Sequence, residues 1–192
     1  MPNLTFNRLN EAWRPAARLA QLLLRADSVR DATGSVAAIS FTVDMNKLFE
    51  LFVETVVGEE ARLHGWELQA QGKRRLTDSV MMQPDLILRR DGVDCAVGDI
   101  KYKRLAPADW PHADLYQLLA YCVGLRLSRG LLMYAETRTP RSETVHEAGI
   151  TMDVIGVNLA ARPRAVLGET RQAARHLIDH ALRQVGKQLR AA

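Results

Sequence analysis

The sequence predicts a mixed α/β domain with a central mixed sheet flanked by helices. Three observations carry that prediction. Segments with apolar residues at helical spacing alternate with short apolar runs of strand character. Asp91-Gly92 separates two of those runs as a hairpin turn. A length of 192 residues suits one domain.

The elements follow in order. Leu9, Trp13, Ala16, Ala20 and Leu23 recur at helical spacing and predict an amphipathic helix over 8–26. Residues 27–40 read as a loop around Gly34, with a short strand before Phe41. Asp44 is placed to N-cap a helix over 45–64 that buries Leu48, Phe49, Phe52, Val53, Val56 and Val57, and Gly65 ends it. Strands are expected at Trp66–Gln71, Asp85–Arg90 and Val93–Lys103. A helix over 112–127 and a strand at Leu131–Ala135 come next. Thr137–Arg141 reads as a loop, and Val145–Glu147 with Ile150–Asn158 as a hairpin turning at Ala148-Gly149. Pro163 suits the first turn of a last helix over 163–190. The expected organisation is an N-terminal helix and linker over 1–40, a core over 41–160 and a basic C-terminal helix over 161–192 in the same domain.

Composition excludes several classes. With 47% hydrophobic and 25% charged residues the chain is neither disordered nor collagen-like. No apolar run approaches the roughly 20 residues that span a bilayer. The start, MPNLTFNRLNEAW, lacks the basic and apolar regions of a signal peptide. Cys95 and Cys122 are the two cysteines and form no CxxC, which excludes a disulfide framework and a four-thiolate metal or Fe–S site. A reducing cytoplasm is the expected location. The formal charge is +4, and residues 161–192 hold seven basic and two acidic residues. Arg dominates that excess and binds phosphate bidentately, so the bias points weakly to a polyanionic partner.

The chemistry concentrates in Gln83-Pro84-Asp85-Leu86-Ile87-Leu88 and Gly98-Asp99-Ile100-Lys101-Tyr102-Lys103. Side chains alternate along a strand, so Asp99 and Lys101 share a face while Ile100 points into the core. Two carboxylates and an ammonium at one sheet edge make a hard-oxygen site, suited to Mg²⁺ or Mn²⁺ rather than Zn²⁺. A plain two-residue type I′ turn at Asp91-Gly92 would set Arg90 opposite Val93 and Asp85 opposite Gly98, on the wrong face from Asp99. Shared chemistry therefore demands a bulge, either a G1 bulge at Gly92 or one beside Pro84. Gln117 and Tyr121 are i,i+4 on the following helix and reach the same side. Lys73-Arg74-Arg75 and Lys103 are candidates for phosphate contact.

Plainer readings stand beside these. Asp85 can cap a strand, and Asp99 with Lys101 can be a surface ion pair. Glu50 can be a solvated helix residue, as Glu54, Glu59 and Glu60 are expected to be. Gln117 and Tyr121 can simply pack. His176 and His180 are i,i+4 on the last helix but lack an HExxH pattern or a third ligand, which favours ordinary helix residues. Arg164, Arg171, Arg175, Arg183, Lys187 and Arg190 read as a solvated face.

The Pro84-Asp85 and Asp99-x-Lys101 pattern, set in helix–strand–strand–helix order, resembles the PD-(D/E)xK nuclease superfamily and its restriction-endonuclease-like fold. The Gln117/Tyr121 pair resembles that of the RecB-like branch. Together, FxxDMNKLFExFV from Phe41, QPDLIL from Gln83, DIKYK from Asp99 and DLYQLLAY from Asp114 resemble the nuclease domain of McrC, the cleavage subunit of McrBC-type modification-dependent restriction systems. The resemblance spans roughly residues 5–160 and makes 41–160 the nuclease core. It implies Mg²⁺-dependent DNA cleavage, with Asp85, Asp99 and the Ile100 carbonyl as metal ligands. It implies Lys101 to orient or activate the attacking water, Glu50 as a further acidic site residue, and Gln117 and Tyr121 bordering the site or the DNA path. It also implies DNA and a McrB-like GTPase as partners. McrC proteins carry another domain ahead of the nuclease, whereas 40 residues precede Phe41 here. A nuclease domain alone or a short member is therefore expected, with coupling to a GTPase in question. The rival functions are a standalone RecB-like exonuclease and a catalytically silent DNA-binding scaffold on the same fold.

Overall fold

The structure, a computed structural model, describes residues 43–103, 111–136 and 139–191, and the pairing of 29–30 with 39–40. The helix expected over 8–26 lies outside the described residues. The chain divides into two compact units, Met1–Asp44 and Met45–Ala192. In the first, β1 (Val29–Arg30) pairs antiparallel with β2 (Ile39–Ser40), the short strand expected before Phe41.

The second unit holds the chemistry. Helix α1 (Met45–Leu63) buries Phe49, Val53, Val56, Val57 and Ala61, a stripe at i, i+4 and i+7 spacing. Leu48, expected inside, is half-exposed. A Schellman motif ends the helix: Trp66 N donates to Ala61 O at 2.8 Å, Gly65 N to Arg62 O at 3.2 Å, and Gly65 has φ +72°. Arg90 lies over the Trp66 ring at 3.8 Å and donates to the His64 and Gly65 carbonyls, so one cation serves the last turn and the indole face.

Strands β3 (Glu67–Ala70), β6 (Leu86–Arg90), β7 (Val93–Lys101), β8 (Arg129–Tyr134), β9 (Arg141–Val145) and β10 (Ile150–Gly156) form one sheet in the order β3-β6-β7-β8-β10-β9. β7, β8 and β10 run parallel to one another, and the remaining pairs are antiparallel. A separate ribbon joins β4 (Arg74–Arg75) to β5 (Met81–Met82), a pairing the sequence reading did not contain. Helix α2 (His112–Leu125) makes the crossover from β7 to β8, and α3 (Pro163–Ala191) closes the chain. β9 is a correction. The expected hairpin with β10 exists, but its first strand is Arg141–Val145 and not Val145–Glu147, because an edge strand of exposed polar residues carries little alternation to read.

Both faces of the sheet are covered. Phe49, Val53, Leu86, Ile100, Leu131, Met133, Ala174, Leu177 and Ile178 form a core beneath α1 and α3. Val97, Leu118, Tyr121, Cys122, Leu132, Tyr134, Met152 and Val154 form a second core beneath α2. The central strands consequently read as continuous apolar runs. Each fully buried Leu or Val contributes about 1.5–3 kcal/mol. Among the described residues, no helix is long and apolar enough to cross a membrane.

The register of β6 against β7 decides the site. Asp91 (φ +52°) and Gly92 (φ +78°) form the two-residue turn, and Arg90 faces Val93. The pairing then shifts: Arg89 faces Asp94, but Leu88 faces Ala96, leaving Cys95 as an extra residue in β7. Leu86 faces Gly98, so one step further back Asp85 stands opposite Asp99. The required bulge exists at Cys95, and neither Gly92 nor Pro84 supplies it.

Gly130 in β8 lets α2 lie close. A Cβ there would come within 2.7 Å of Cys122 Sγ and 2.8 Å of Leu118. Gly130→Ala should therefore destabilise the protein by about 1–3 kcal/mol through overpacking. A lower urea midpoint at unchanged slope is the expected readout, and an unchanged midpoint would show that the helix–sheet contact is slack.

Candidate functional site

Asp85 leads into β6, and Asp99 lies near the end of β7 on the face that α2 covers. Asp85 is held in place from two directions. Its Oδ2 accepts the Ile100 N–H at 2.7 Å, and its Oδ1 accepts Gln71 Nε2 at 2.9 Å. A residue's N–H and C=O point to the same side of its strand, so the Ile100 carbonyl is turned toward the Asp85 side as well.

Asp99 is 2% exposed. Burial, and then the charge of Asp85, push its carboxyl up to about 7, against the pull of Lys101. Lys101 Nζ lies 2.6 Å from Asp99 Oδ2 and donates to Gln117 Oε1 at 3.0 Å. Gln117 Nε2 donates to Tyr121 Oη at 2.7 Å, and the Tyr121 hydroxyl leans on the Gln83 carbonyl at 3.4 Å. Burial and the Asp99 charge raise the Tyr121 phenol, which stays neutral. Burial works against the Lys101 ammonium, but Asp99 and Asp85 outweigh it and hold its pKa above the ordinary value. The structure thus brings Asp85, Asp99, Lys101, Gln117 and Tyr121 into one connected group.

The acidic residues of α1 fall differently from expectation. Gln71 Nε2 also donates to Glu54 Oε1 at 3.1 Å, so Glu54 is tied through one amide to Asp85. Glu50 is half-buried one turn earlier on the same side of α1. Glu54 and Glu60 are not the solvated residues expected. Glu60 is 4% exposed and takes Arg175 at 3.1 Å and Arg171 at 3.4 Å from α3. Two cations of the last helix therefore hold α3 to α1. The signal for Glu54 was its i,i+4 spacing from Glu50, which leaves either residue able to face the site.

The basic candidates also separate. Arg74 is clamped by Asp94 through Nε at 2.7 Å and Nη2 at 2.9 Å, and it donates to Gln69. Lys73 and Arg75 beside it are exposed. Lys103 pairs with the buried Asp114 at 2.7 Å.

The residues suit a hard divalent cation. The buried Asp99 carboxylate lies against the half-buried Asp85, and Asp99 Oδ2, facing the Lys101 ammonium, has no hydrogen bond of good geometry. Two oxygen donors that repel without a positive charge between them match Mg²⁺ or Mn²⁺. Asp153, His176 and His180 make another group able to hold a metal, with ligand atoms within 4.8 Å of one another. The histidine pair therefore has the third residue that the sequence reading lacked. Asp85, Asp99 and Glu50 do not form a second group of that closeness among the described residues.

Because its folded pKa is raised, Asp99 stabilises the metal-free fold most at low pH, and that contribution is lost as pH rises through about 7. In chelator, stability should climb as pH falls from about 8 to about 5.5. Asp99→Asn should flatten that slope in urea titrations, and an equal slope in both proteins would contradict the assignment.

The family model described as McrBC 5-methylcytosine restriction system component matches residues 1–135. No curated protein matches the chain. Among solved structures the chain resembles one from a refined half-complex of the tetradecameric assembly of Thermococcus gammatolerans McrB AAA+ hexamers with bound McrC. The two are 23% identical with a TM-score of 0.59 over 90% of this chain, which spans 40% of the other chain's length. That likeness speaks for the fold. The family match takes in well over half of the residues, and the protein belongs to the McrBC family of 5-methylcytosine restriction system components.

Proposed function

We propose that this chain is the cleavage module of a McrBC-like system, a Mg²⁺-dependent DNA endonuclease on a PD-(D/E)xK fold. One observation carries the reading: the Cys95 bulge sets Asp85 opposite Asp99 on one sheet face, with Lys101 within reach of both the acidic pair and Gln117. In this reading the core spans 41–160, with 1–40 leading in and 161–192 packing behind it. Asp85, Asp99 and the Ile100 carbonyl hold the cation, with Glu50 or Glu54 contributing from α1. When bound, the ion polarises a phosphoryl oxygen and lowers the pKa of its water.

The chain's own residues do the rest. Lys101 stands where negative charge builds as the water oxygen bonds to phosphorus and the P–O bond to the leaving hydroxyl breaks. Gln117, steadied by Tyr121, fixes the Lys101 ammonium. Lys73 and Arg75 meet phosphates, which position the duplex without reading its sequence. No P-loop pattern occurs in these 192 residues, and in this reading nucleotide hydrolysis belongs to a partner. The solved relative's McrB assembly supports a McrB-like hexamer in that role.

Cleavage assays with Mg²⁺ test the reading. Asp99→Ala should abolish nicking yet remain at least as stable as wild type in EDTA, since it removes a buried repulsion. Lys101→Ala should lower the rate by about 10²–10³-fold with Mg²⁺ affinity retained. Full cleavage by Asp99→Ala would sink the proposal, and a wild type that binds DNA but neither Mg²⁺ nor Mn²⁺ would favour the silent scaffold.

Binding to duplex DNA should weaken with salt, log K falling by about 0.9 per phosphate contact per log unit. Lys73→Ala and Arg75→Ala should each reduce that slope by about 1, while Arg74→Ala should mainly lower stability. Unchanged slopes would remove these two residues from the DNA path.

A further inference from the structure

Asp153 sits in the middle of β10 on the sheet face that α3 covers, opposite the face of Asp99. His176 and His180 lie one turn apart on α3 and aim the same ring nitrogen at the same atom. His180 Nε2 is 2.7 Å and His176 Nε2 2.9 Å from Asp153 Oδ2. Arg129 Nη2 approaches that oxygen too, at 3.3 Å, and Ser142 donates to Oδ1. A carboxylate oxygen offers about two lone-pair sites, so three donors over-subscribe it. Burial works against ionisation of Asp153, but the hydrogen bonds from His176, His180 and Ser142 together outweigh it and hold the carboxyl well below the usual range. His180 is 2% exposed, and its Nδ1 has no hydrogen-bond partner. A cleft of about 590 Å³, lined by Asp153, His176, Ser142 and Asp179, opens onto the group.

We propose that Asp153, His176 and His180 form a second divalent-metal site, of the Zn²⁺ class, with its free coordination position toward this cleft. Two imidazoles and one carboxylate are a borderline donor set, chosen by Zn²⁺ and its neighbours and not by Mg²⁺. An ion among the three atoms replaces N–H contacts with ring-nitrogen lone pairs and relieves the crowding on Oδ2. Bonds near 2.0–2.1 Å in a tetrahedral site require ligand atoms roughly 3.3 Å apart, so the two His–Asp edges lengthen by about 0.5 Å and the histidine nitrogens adjust toward the same spacing. His176, with its side chain 41% exposed, has room to move, and Arg129, 30% exposed, can turn to solvent. The bound ion ties α3 to the central sheet.

Co²⁺ is the probe. Chelator-stripped protein is titrated with Co²⁺ in millimolar Mg²⁺, which fills a hard-oxygen site. The expected result is one Co²⁺ per chain with visible d–d absorption, displaced by Zn²⁺. His176→Ala should weaken binding by about 100-fold or more, and its exposed position lets the variant fold. Asp99→Asn should bind Co²⁺ as wild type does, whether or not the protein cleaves DNA. Absence of stoichiometric Co²⁺ binding in wild type would overturn the proposal. So would binding unchanged in His176→Ala, or lost in Asp99→Asn.

Discussion

The site depends on a conflict of registers in one hairpin. The Asp91-Gly92 turn demands that Arg90 face Val93, because two residues at positive φ close a tight turn. The core demands that Leu86 and Ile100 point beneath α1 and α3, and that Val97 point beneath α2. A regular ladder cannot satisfy the turn and also place Asp85 opposite Asp99, since one residue of slip exchanges the faces of a strand. The extra residue at Cys95 reconciles them, and Cys95 and Ala96 accordingly share one core. Two carboxylates come to lie side by side, and burial makes the charge of Asp99 costly.

That cost is contained by supports from both faces. From α1, Glu54 reaches Asp85 through the Gln71 amide, and Gln71 also donates its backbone N–H to the Asp85 carbonyl at 3.0 Å. From α2, Tyr121 and Gln117 fix the ammonium of Lys101 against Asp99. Neighbouring hydrogen bonds of this kind set the orientation of ligating groups, and losing one typically costs about 10–100-fold in affinity or activity. The two sets of supports meet at Gln83, whose amide donates to Gln71 Oε1 at 3.2 Å and whose carbonyl takes the Tyr121 hydroxyl at 3.4 Å.

Much of this was legible in the sequence. The helices expected over 45–64, 112–127 and 163–190, the hairpin turn, the Gly65 stop and the Asp85, Asp99, Lys101, Gln117 and Tyr121 group rest on local periodicity or short spacing. The need for a bulge was legible as well, but not its place. A bulge settles where the turn and both cores together cost least, and that is a property of three packed layers. Glu54 was missed because residues four apart on a helix share a side, and the phase that favours one of them is set by Gln71 on another element. Arg74 read as a phosphate contact, while its partner Asp94 lies twenty residues away across the β6–β7 turn. Asp153 is distant in sequence from both histidines, so the trio forms only when β10 lies beneath α3.

The central claim is that the bulge creates a cation site between two strands. Its most direct test is anomalous scattering from crystals soaked in Mn²⁺. The account predicts a single strong peak within bonding distance of Asp85, Asp99 and the Ile100 carbonyl, with Lys101 beside it. A peak absent there, or Asp85 and Asp99 found on opposite faces of the sheet, would contradict it.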